Sequence, residues 1–402
     1  MSKKLRNRFL ALTCVLIFIG LGALYYTNWV VQRPFAIILF VGDGLTTSQL
    51  PAARLYRDGA DHRLQIESLP HVAILTTYAN DFAVSDPAAA ASALATGQRV
   101  NNRTLSVDPA GNPLPALFEL AQRSGRVTGL VTNAALTDPA PAAFYAKTET
   151  PLDHLEVARQ LVDDIDLSVI LGGGESSFLP EGKDGTRTDG RDLMLEMRRQ
   201  GYEVVRSERE LSDTPGWKFP RVFGVFSRGN LEFAGEDQGR LGQPTLAELV
   251  TRAISLLQYN PQGYLLVVDA SLIAKAAGHN EGERVLREIN ELDRAVSAAL
   301  RYAGEDALII VTGKQSVGGF HLNGYPFKND RGVSVLGTNA DGVPLITWSS
   351  GPGSEGQPTA ANTAAAIGTV EDTIAVSTGP GSESLQGFKD NTDVFRVIQE
   401  NL

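Results

Sequence analysis

The chain is short of cysteine, histidine and positive charge, and each shortage narrows what it can be. Its single cysteine, Cys14, in 402 residues cannot close an intramolecular disulfide, so any exported part must be stable without one. The five histidines are scattered, and His62, His71, His154 and His321 read as surface or packing residues rather than as ligands. Basic residues number 36 against 46 acidic ones, a formal net charge of −10. Lys3, Lys4, Arg6 and Arg8 crowd into the N-terminal tip with no acid among them, so the remainder is more acidic still. Such a body is a poor non-specific nucleic-acid binder. There is no internal repeat. Gly172-Gly173-Gly174 lacks the lysine and spacing of a phosphate loop, which leaves a strand-ending turn.

What is present is an ordinary globular composition, 43% hydrophobic and 20% charged, with enough residues for one large α/β domain or two smaller ones. Phe9 to Val31 is mostly apolar and long enough to span a bilayer. The basic flank predicts the N-terminal tip in the cytoplasm and the body on the exported side. A cleaved signal peptide is the rival reading, because its charged and apolar regions look alike. Gly20-Leu21-Gly22 makes a weak cleavage site, whereas Tyr25, Tyr26 and Trp29 resemble an interfacial belt. The expectation is therefore an uncleaved anchor and tip over residues 1–33, followed by the body over residues 34–402.

Phe35 to Val41 is a continuous apolar run ending in Gly42-Asp43-Gly44. It reads as a buried parallel strand with a loop at its C-terminal end, where ligand sites gather in open α/β sheets. Comparable strands are expected at Val127 to Thr132, Val169 to Leu171, Tyr264 to Val268 and Ala307 to Val311. Helical patterns lie between them at Leu117 to Arg123, Leu155 to Asp164, Leu246 to Leu257 and Glu283 to Arg301. That alternation predicts an α/β fold, a doubly wound and mostly parallel sheet flanked by helices. Residues 350–366, rich in Gly, Ser, Pro and Ala, read as a flexible surface loop.

The stretch Val84 to Gly97 organises the rest. Asp86 is a good N-cap, Pro87 suits the first helical position, an Ala/Leu run follows, and Gly97 supplies the left-handed stop. This stretch resembles the nucleophile segment of the alkaline phosphatase family, and so do other motifs in the right order. They are Pro141 to Ala146, Leu171 to Gly174, Asn260 to Tyr264, Gly379-Pro380-Gly381 and Gly387 to Phe395. The resemblance implies an alkaline phosphatase-like fold over most of residues 35–400. It also implies a homodimer and a metal-dependent phosphomonoesterase with two zincs, a magnesium, a nucleophilic serine and an arginine that clamps the phosphate. Paired metals would stabilise the attacking and leaving oxygens.

Carried over position by position, the resemblance puts Pro87 where the family has its serine. Ala274, Gly278 and Gly368 fall at the ligands of the first zinc, with His279 one residue out of register. Lys314-Gln315 falls at the aspartate-histidine pair of the second zinc, and the arginine's place falls near Pro151. Ser92 lies about 140° around the helix from Pro87 and cannot simply substitute. Ser85 precedes the turn and points opposite to Asp86. Arg159 reads as a helix-surface residue. Asp43, Asp138 and Asp269 match the magnesium positions, while Ala140 replaces a threonine ligand. Three close carboxylates need a cation, and two solutions are open: a single Mg²⁺, or Lys314 in its place. Zinc is not expected. The implied reading is a membrane-anchored phosphatase-like protein that binds or assembles rather than hydrolyses; the alternative is a hydrolase with a reduced Mg²⁺ site.

Overall fold

Strand β1 (Ala36–Gly44) is apolar at almost every position because both of its faces are covered. Ala36, Ile38 and Phe40 enter one core, and Ile37, Leu39 and Val41 enter another on the opposite face, as a two-residue side-chain period requires. The computed structural model describes residues 3–25, 35–216, 221–236, 241–324, 326–339, 341–349 and 368–402. The loop expected at 350–366 and the belt residues Tyr26 and Trp29 lie outside them.

Beside β1 run β7 (Tyr264–Asp269) and β8 (Leu308–Val317), both parallel to it. Beyond β7 follow β3 (Val127–Ala135), β4 (Val169–Gly173), β6 (Arg221–Val225) and β5 (Tyr202–Val205), again parallel. On the other side, β12 (Thr373–Thr378) runs antiparallel to β8 and to β2 (His71–Thr76), and β13 (Gly387–Asp390) closes that edge parallel to β2. The order is β13-β2-β12-β8-β1-β7-β3-β4-β6-β5, with β11 (Gly368–Thr369) attached to the end of β8. Only β12 and β11 run against the rest, so the sheet is mixed and mostly parallel. Two further short strands, β9 (Phe320–Leu322) and β10 (Ile346–Trp348), form a separate pair.

One face is covered by α2 (Gln49–Asp58), α9 (Leu246–Leu257) and α11 (Gly282–Tyr302). The other is covered by α3 (Pro87–Thr96), α4 (Leu117–Arg123), α6 (His154–Asp163), α7 (Leu193–Arg199) and α12 (Thr392–Asn401). Helix α9 carries a capping box between Thr245 and Glu248, which fixes where it starts. Helix α3 is buried nearly all round, and alanine lets it pack between the sheet and α12. Gly97 ends it at φ 70°, where a Cβ would overlap the Phe395 ring. At the N-terminus, α1 (Lys3–Tyr25) begins within the basic tip and includes a 20-residue stretch, Lys3–Gly22, that is apolar and long enough to cross a membrane.

Candidate functional site

The C-terminal ends of β1 and β8, the start of α3, the segment Asp138 to Ala140 and the short helix α10 (Leu272–Gly278) line a cavity of about 740 Å³. Asp43 is the penultimate residue of β1. Between Gly42 and Gly44 the pairing with β8 shifts by one residue, from Gly42↔Gly313 to Gly44↔Ser316. This bulge sets two residues, Lys314 and Gln315, opposite the single Asp43. The Lys314 ammonium is fully buried and lies 2.9 Å from Asp43 Oδ2. It also donates to the Pro87 carbonyl at 3.2 Å.

Asp269 ends β7 and is fully buried. Its Oδ2 accepts the Thr132 hydroxyl at 2.6 Å, and its Oδ1 accepts the Ser271 hydroxyl at 3.0 Å. The same Ser271 oxygen is 3.5 Å from Asp43 Oδ2, so Ser271 stands between the two carboxylates. Burial, followed by the neighbouring Asp43 charge, pushes the Asp269 carboxyl up to about 7 despite the two hydroxyl donors and Lys314.

Asp138, before the single-turn helix α5 (Pro139–Ala142), goes elsewhere. Its Oδ2 is 2.7 Å from Lys275 Nζ on α10. The two form an ion pair in which Lys275 is the more exposed partner. Burial works to lower the Lys275 pKa, but Asp138, Asp43 and Asp269 outweigh it and leave the pKa raised. The three carboxylates thus meet two ammonium groups. Among the described residues, no group of three or more His, Cys, Asp or Glu side chains is arranged to hold a metal ion.

Helix α3 begins as its sequence implies: Asp86 Oδ1 accepts the Ala89 N–H at 2.8 Å, with Pro87 at the first position. Asp86 Oδ2 accepts the Arg103 N–H at 2.7 Å. Asn102 clamps the approach to the helix, accepting from the Asp86 N–H at 2.8 Å and donating to the Val84 carbonyl at 2.9 Å. The clamp holds Ser85, 4% exposed, on the cavity wall. Ser92 is fully buried away from the cavity, and its hydroxyl accepts the Ser106 N–H at 2.9 Å. Arg159 lies on α6, engaged with Glu156 at 2.8 Å and Asp164 at 3.1 Å. His279 Nδ1 is 2.8 Å from the Lys275 carbonyl, and His154 Nδ1 is 3.1 Å from the Thr137 hydroxyl.

Sequence reasoning did not single out Lys275, Ser271, Thr132 or Asn102. A lysine six residues past Asp269, one helical turn into α10, was the available signal for Lys275. Thr132 reaches Asp269 from a distant segment and Asn102 reaches back over the α3 segment to Val84 and Asp86, whereas Ser271 lies only two residues past Asp269 but also approaches the distant Asp43.

The model of the alkaline phosphatase family matches residues 36–402. The chain belongs to the alkaline phosphatase family. It is 32% identical over 373 residues to the tissue-nonspecific alkaline phosphatase of Gallus gallus, covering 79% of this chain and 71% of that one. It is 29% identical over 371 residues to a membrane-bound alkaline phosphatase of Bombyx mori, covering 79% and 67%. Among solved structures, the alkaline phosphatase of Thermus thermophilus superposes with a TM-score of 0.78 at 23% identity, covering 92% of both chains. That of the Antarctic bacterium TAB5 gives 0.76 at 20% identity, covering 92% and 98%. These two likenesses establish the alkaline phosphatase fold, with its mostly parallel sheet between helical layers.

Proposed function

We propose that this alkaline phosphatase-like chain is a membrane-anchored binding protein whose pocket does not hydrolyse phosphate esters. The observation that carries the reading is Lys314. Its buried ammonium sits 2.9 Å from Asp43 Oδ2, and its charge also acts on Asp269, so it supplies positive charge that a metal ion would otherwise bring to these carboxylates. A protonated amine has no lone pair, so it cannot be a metal ligand. It supplies one fixed charge where a divalent ion would supply two.

The donor chemistry of the neighbouring positions supports the same reading. Pro87, Ala274, Gly278 and Gly368 offer no side-chain donor, and Gln315 offers only an amide. These residues do not fit zinc, and a metal-activated serine has no counterpart at Pro87. The competing reading, a hydrolase using Mg²⁺ alone, is favoured by one atom, Asp43 Oδ1, which is buried without a partner. Residues 1–33 act as tip and anchor in this proposal, with residues 34–402 held on the exported side by the basic flank.

The test is release of phosphate from p-nitrophenyl phosphate by the detergent-solubilised full chain at alkaline pH, with Zn²⁺ and Mg²⁺ added. No turnover above buffer is expected, and Pro87→Ser alone should restore none. Turnover that disappears in Asp43→Asn would establish the Mg²⁺ hydrolase instead. A reporter fused after Leu402 should be active only on the exported side. Soluble protein starting near Tyr25 would replace the anchor with a cleaved signal.

A further inference from the structure

The N-terminal segment joins the body at the end of the sheet opposite the cavity. Strand β1 begins just past Phe35 and carries Asp43 near its far end, about 23 Å further on at 3.3 Å per residue. β7, β3 and β8 run parallel to it, so their first residues lie at the Phe35 end and their last residues toward the cavity. Hydrogen bonds tie the Phe35 end together. The Phe35 N–H donates to the Asp306 carbonyl at 3.2 Å, and the Phe35 carbonyl accepts the Tyr264 N–H at 3.2 Å and Arg126 Nη1 at 2.9 Å. The Val127 N–H donates to the Gly263 carbonyl at 3.2 Å. Helix α11 ends here too, at Tyr302, just before the turn that leads to Asp306.

Three aromatic side chains are exposed at this end: Phe35 at 37%, Tyr259 at 47% and Tyr302 at 51%. Exposed charges of both signs accompany them, Arg123 and Arg301 with Glu305 and Asp306. Amphipathic rings are favoured at the headgroup level of a bilayer, and mixed charge suits headgroups that carry both signs.

Chain length then decides which end can face the membrane. The apolar span ends at Gly22 and its helix at Tyr25, and the steps from Tyr25 to Phe35 reach at most about 36 Å. A body of the length of residues 36–402 has a radius of gyration of about 21 Å, hence a diameter above about 50 Å. Turning the cavity toward the membrane would take the chain half-way round that body, roughly 80 Å, which is more than twice its reach. We propose that the end bearing Phe35, Tyr259 and Tyr302 rests on the headgroup layer of the membrane that holds the anchor, and that the cavity opens away from that membrane onto the exported space. Its ligand then arrives from solution rather than from the lipids of that bilayer. The proposal rests on the membrane-anchored reading of residues 1–33.

Fluorescence quenching tests it, on the full chain in phosphatidylcholine nanodiscs whose headgroups carry nitroxide. Cys14→Ser removes the native thiol, and a fluorophore is attached through Tyr302→Cys or through Leu152→Cys, a cavity-lining position that is 73% exposed. Quenching should be at least threefold stronger at position 302 than at position 152. Equal, absent or reversed quenching overturns the proposal, whether that end stands free in solvent or is covered by a protein instead. An insertion of about twenty Gly and Ser residues between Arg33 and Pro34 relaxes the tether. At least half of the quenching at position 302 should survive it, because the face itself holds the bilayer. Its loss would mean that the tether alone orients the body, which overturns the docking surface. Disc-bound protein without the contrast defeats this inference alone, whereas protein that does not stay with the discs defeats the anchored reading beneath it as well.

Discussion

Removing the Lys314 ammonium perturbs the site at its most constrained point. The Lys314 side chain is 0% exposed and that of Asp43 6%, so neither charge can relax into water. Lys314→Met keeps much of the stem's volume and deletes the charge, leaving Asp43 Oδ2 buried with only Ser271 at 3.5 Å. Breaking a buried ion pair from one side costs about 3–5 kcal/mol, because the remaining charge is uncompensated. Asp43→Asn should cost a similar amount, stranding the ammonium with the Pro87 carbonyl. Removing both charges in Asp43→Asn/Lys314→Met should cost only about 1–2 kcal/mol, for which the two desolvated charges themselves are the reason. An unfolding entropy of about 2.1 cal/mol/K per residue makes 1 kcal/mol roughly 1.3 °C for a body of this length. Scanning calorimetry should therefore show losses of about 4–7 °C for each single variant and about 1–3 °C for the double. Simple addition of the two single losses would refute the reasoning. Lys314→Ala adds a second readout, since it opens space beside Asp43 and Asp269. Mg²⁺ at about a hundredfold excess over its Kd should then raise the variant's melting temperature by roughly 3–4 °C, from about 2.7 kcal/mol of binding energy, and leave the unmutated protein almost unmoved. Equal stabilisation of both proteins would favour the metal reading.

The Asp269 carboxyl is raised from 3.8 to about 7 by burial and by Asp43, so the folded state holds its proton more firmly than the unfolded chain. Stability should fall as pH rises from about 4 to about 7 and then level off, an effect of order 4 kcal/mol over the whole window. Asp269→Asn should flatten that slope in melting temperature against pH, leaving the similar but separate contribution of buried Glu288, raised to about 8 chiefly by burial; an unchanged profile would refute the assignment. Gly97→Ala should destabilise by about 2–4 kcal/mol, because it combines a positive φ with overlap of the Phe395 ring. Phe395→Leu should recover only the packing part of that loss in calorimetry. Asp86→Ala removes acceptors for the Ala89 and Arg103 N–H groups and should cost about 1–2 kcal/mol in the same measurement.

The fold was legible wherever the pattern was local. Phe35 to Val41 reads as a two-faced buried strand because every position is apolar, and β1 occupies the sheet's centre with both faces covered. Asp86, Pro87 and Gly97 announced both ends of α3, since capping needs particular residues at particular places. The reversed strand β12 was not legible. Thr373 to Thr378 mixes polar and apolar residues without a clear period, and its direction is set by pairing with β2 and β8 from opposite ends of the chain. The site divides in the same way. Asp43, Asp138 and Asp269 each follow a recognisable motif, but the partition of their charges does not. Asp269 faces two hydroxyls, Asp43 faces Lys314, and Asp138 faces Lys275. That partition depends on which side chains reach across the cavity, and the sequence records no such distances.

The bulge at the end of β8 explains how a buried lysine can reach Asp43 at all. In a regular strand, neighbouring residues point to opposite faces, so one of Lys314 and Gln315 would leave the site. The extra residue between Gly313 and Ser316 relaxes that alternation opposite Asp43, so that Gln315 lines the cavity while the fully buried Lys314 still reaches Asp43. Lys314 then neutralises Asp43 Oδ2, while Gln315 keeps its Oε1 buried and unpartnered among the described residues. A long stem matters here, because the charge must span from β8 to the carbonyl of Pro87 at the mouth of α3. Arginine would bring a planar fork too large for a fully buried slot that must also leave Asp43 Oδ1 free. Lys314→Arg should therefore destabilise the protein although the charge is conserved, and the calorimetric loss should approach that of Lys314→Met. A protein unaffected by the arginine would show that the slot is looser than a 0% exposed side chain implies, and that the ammonium is not what closes it.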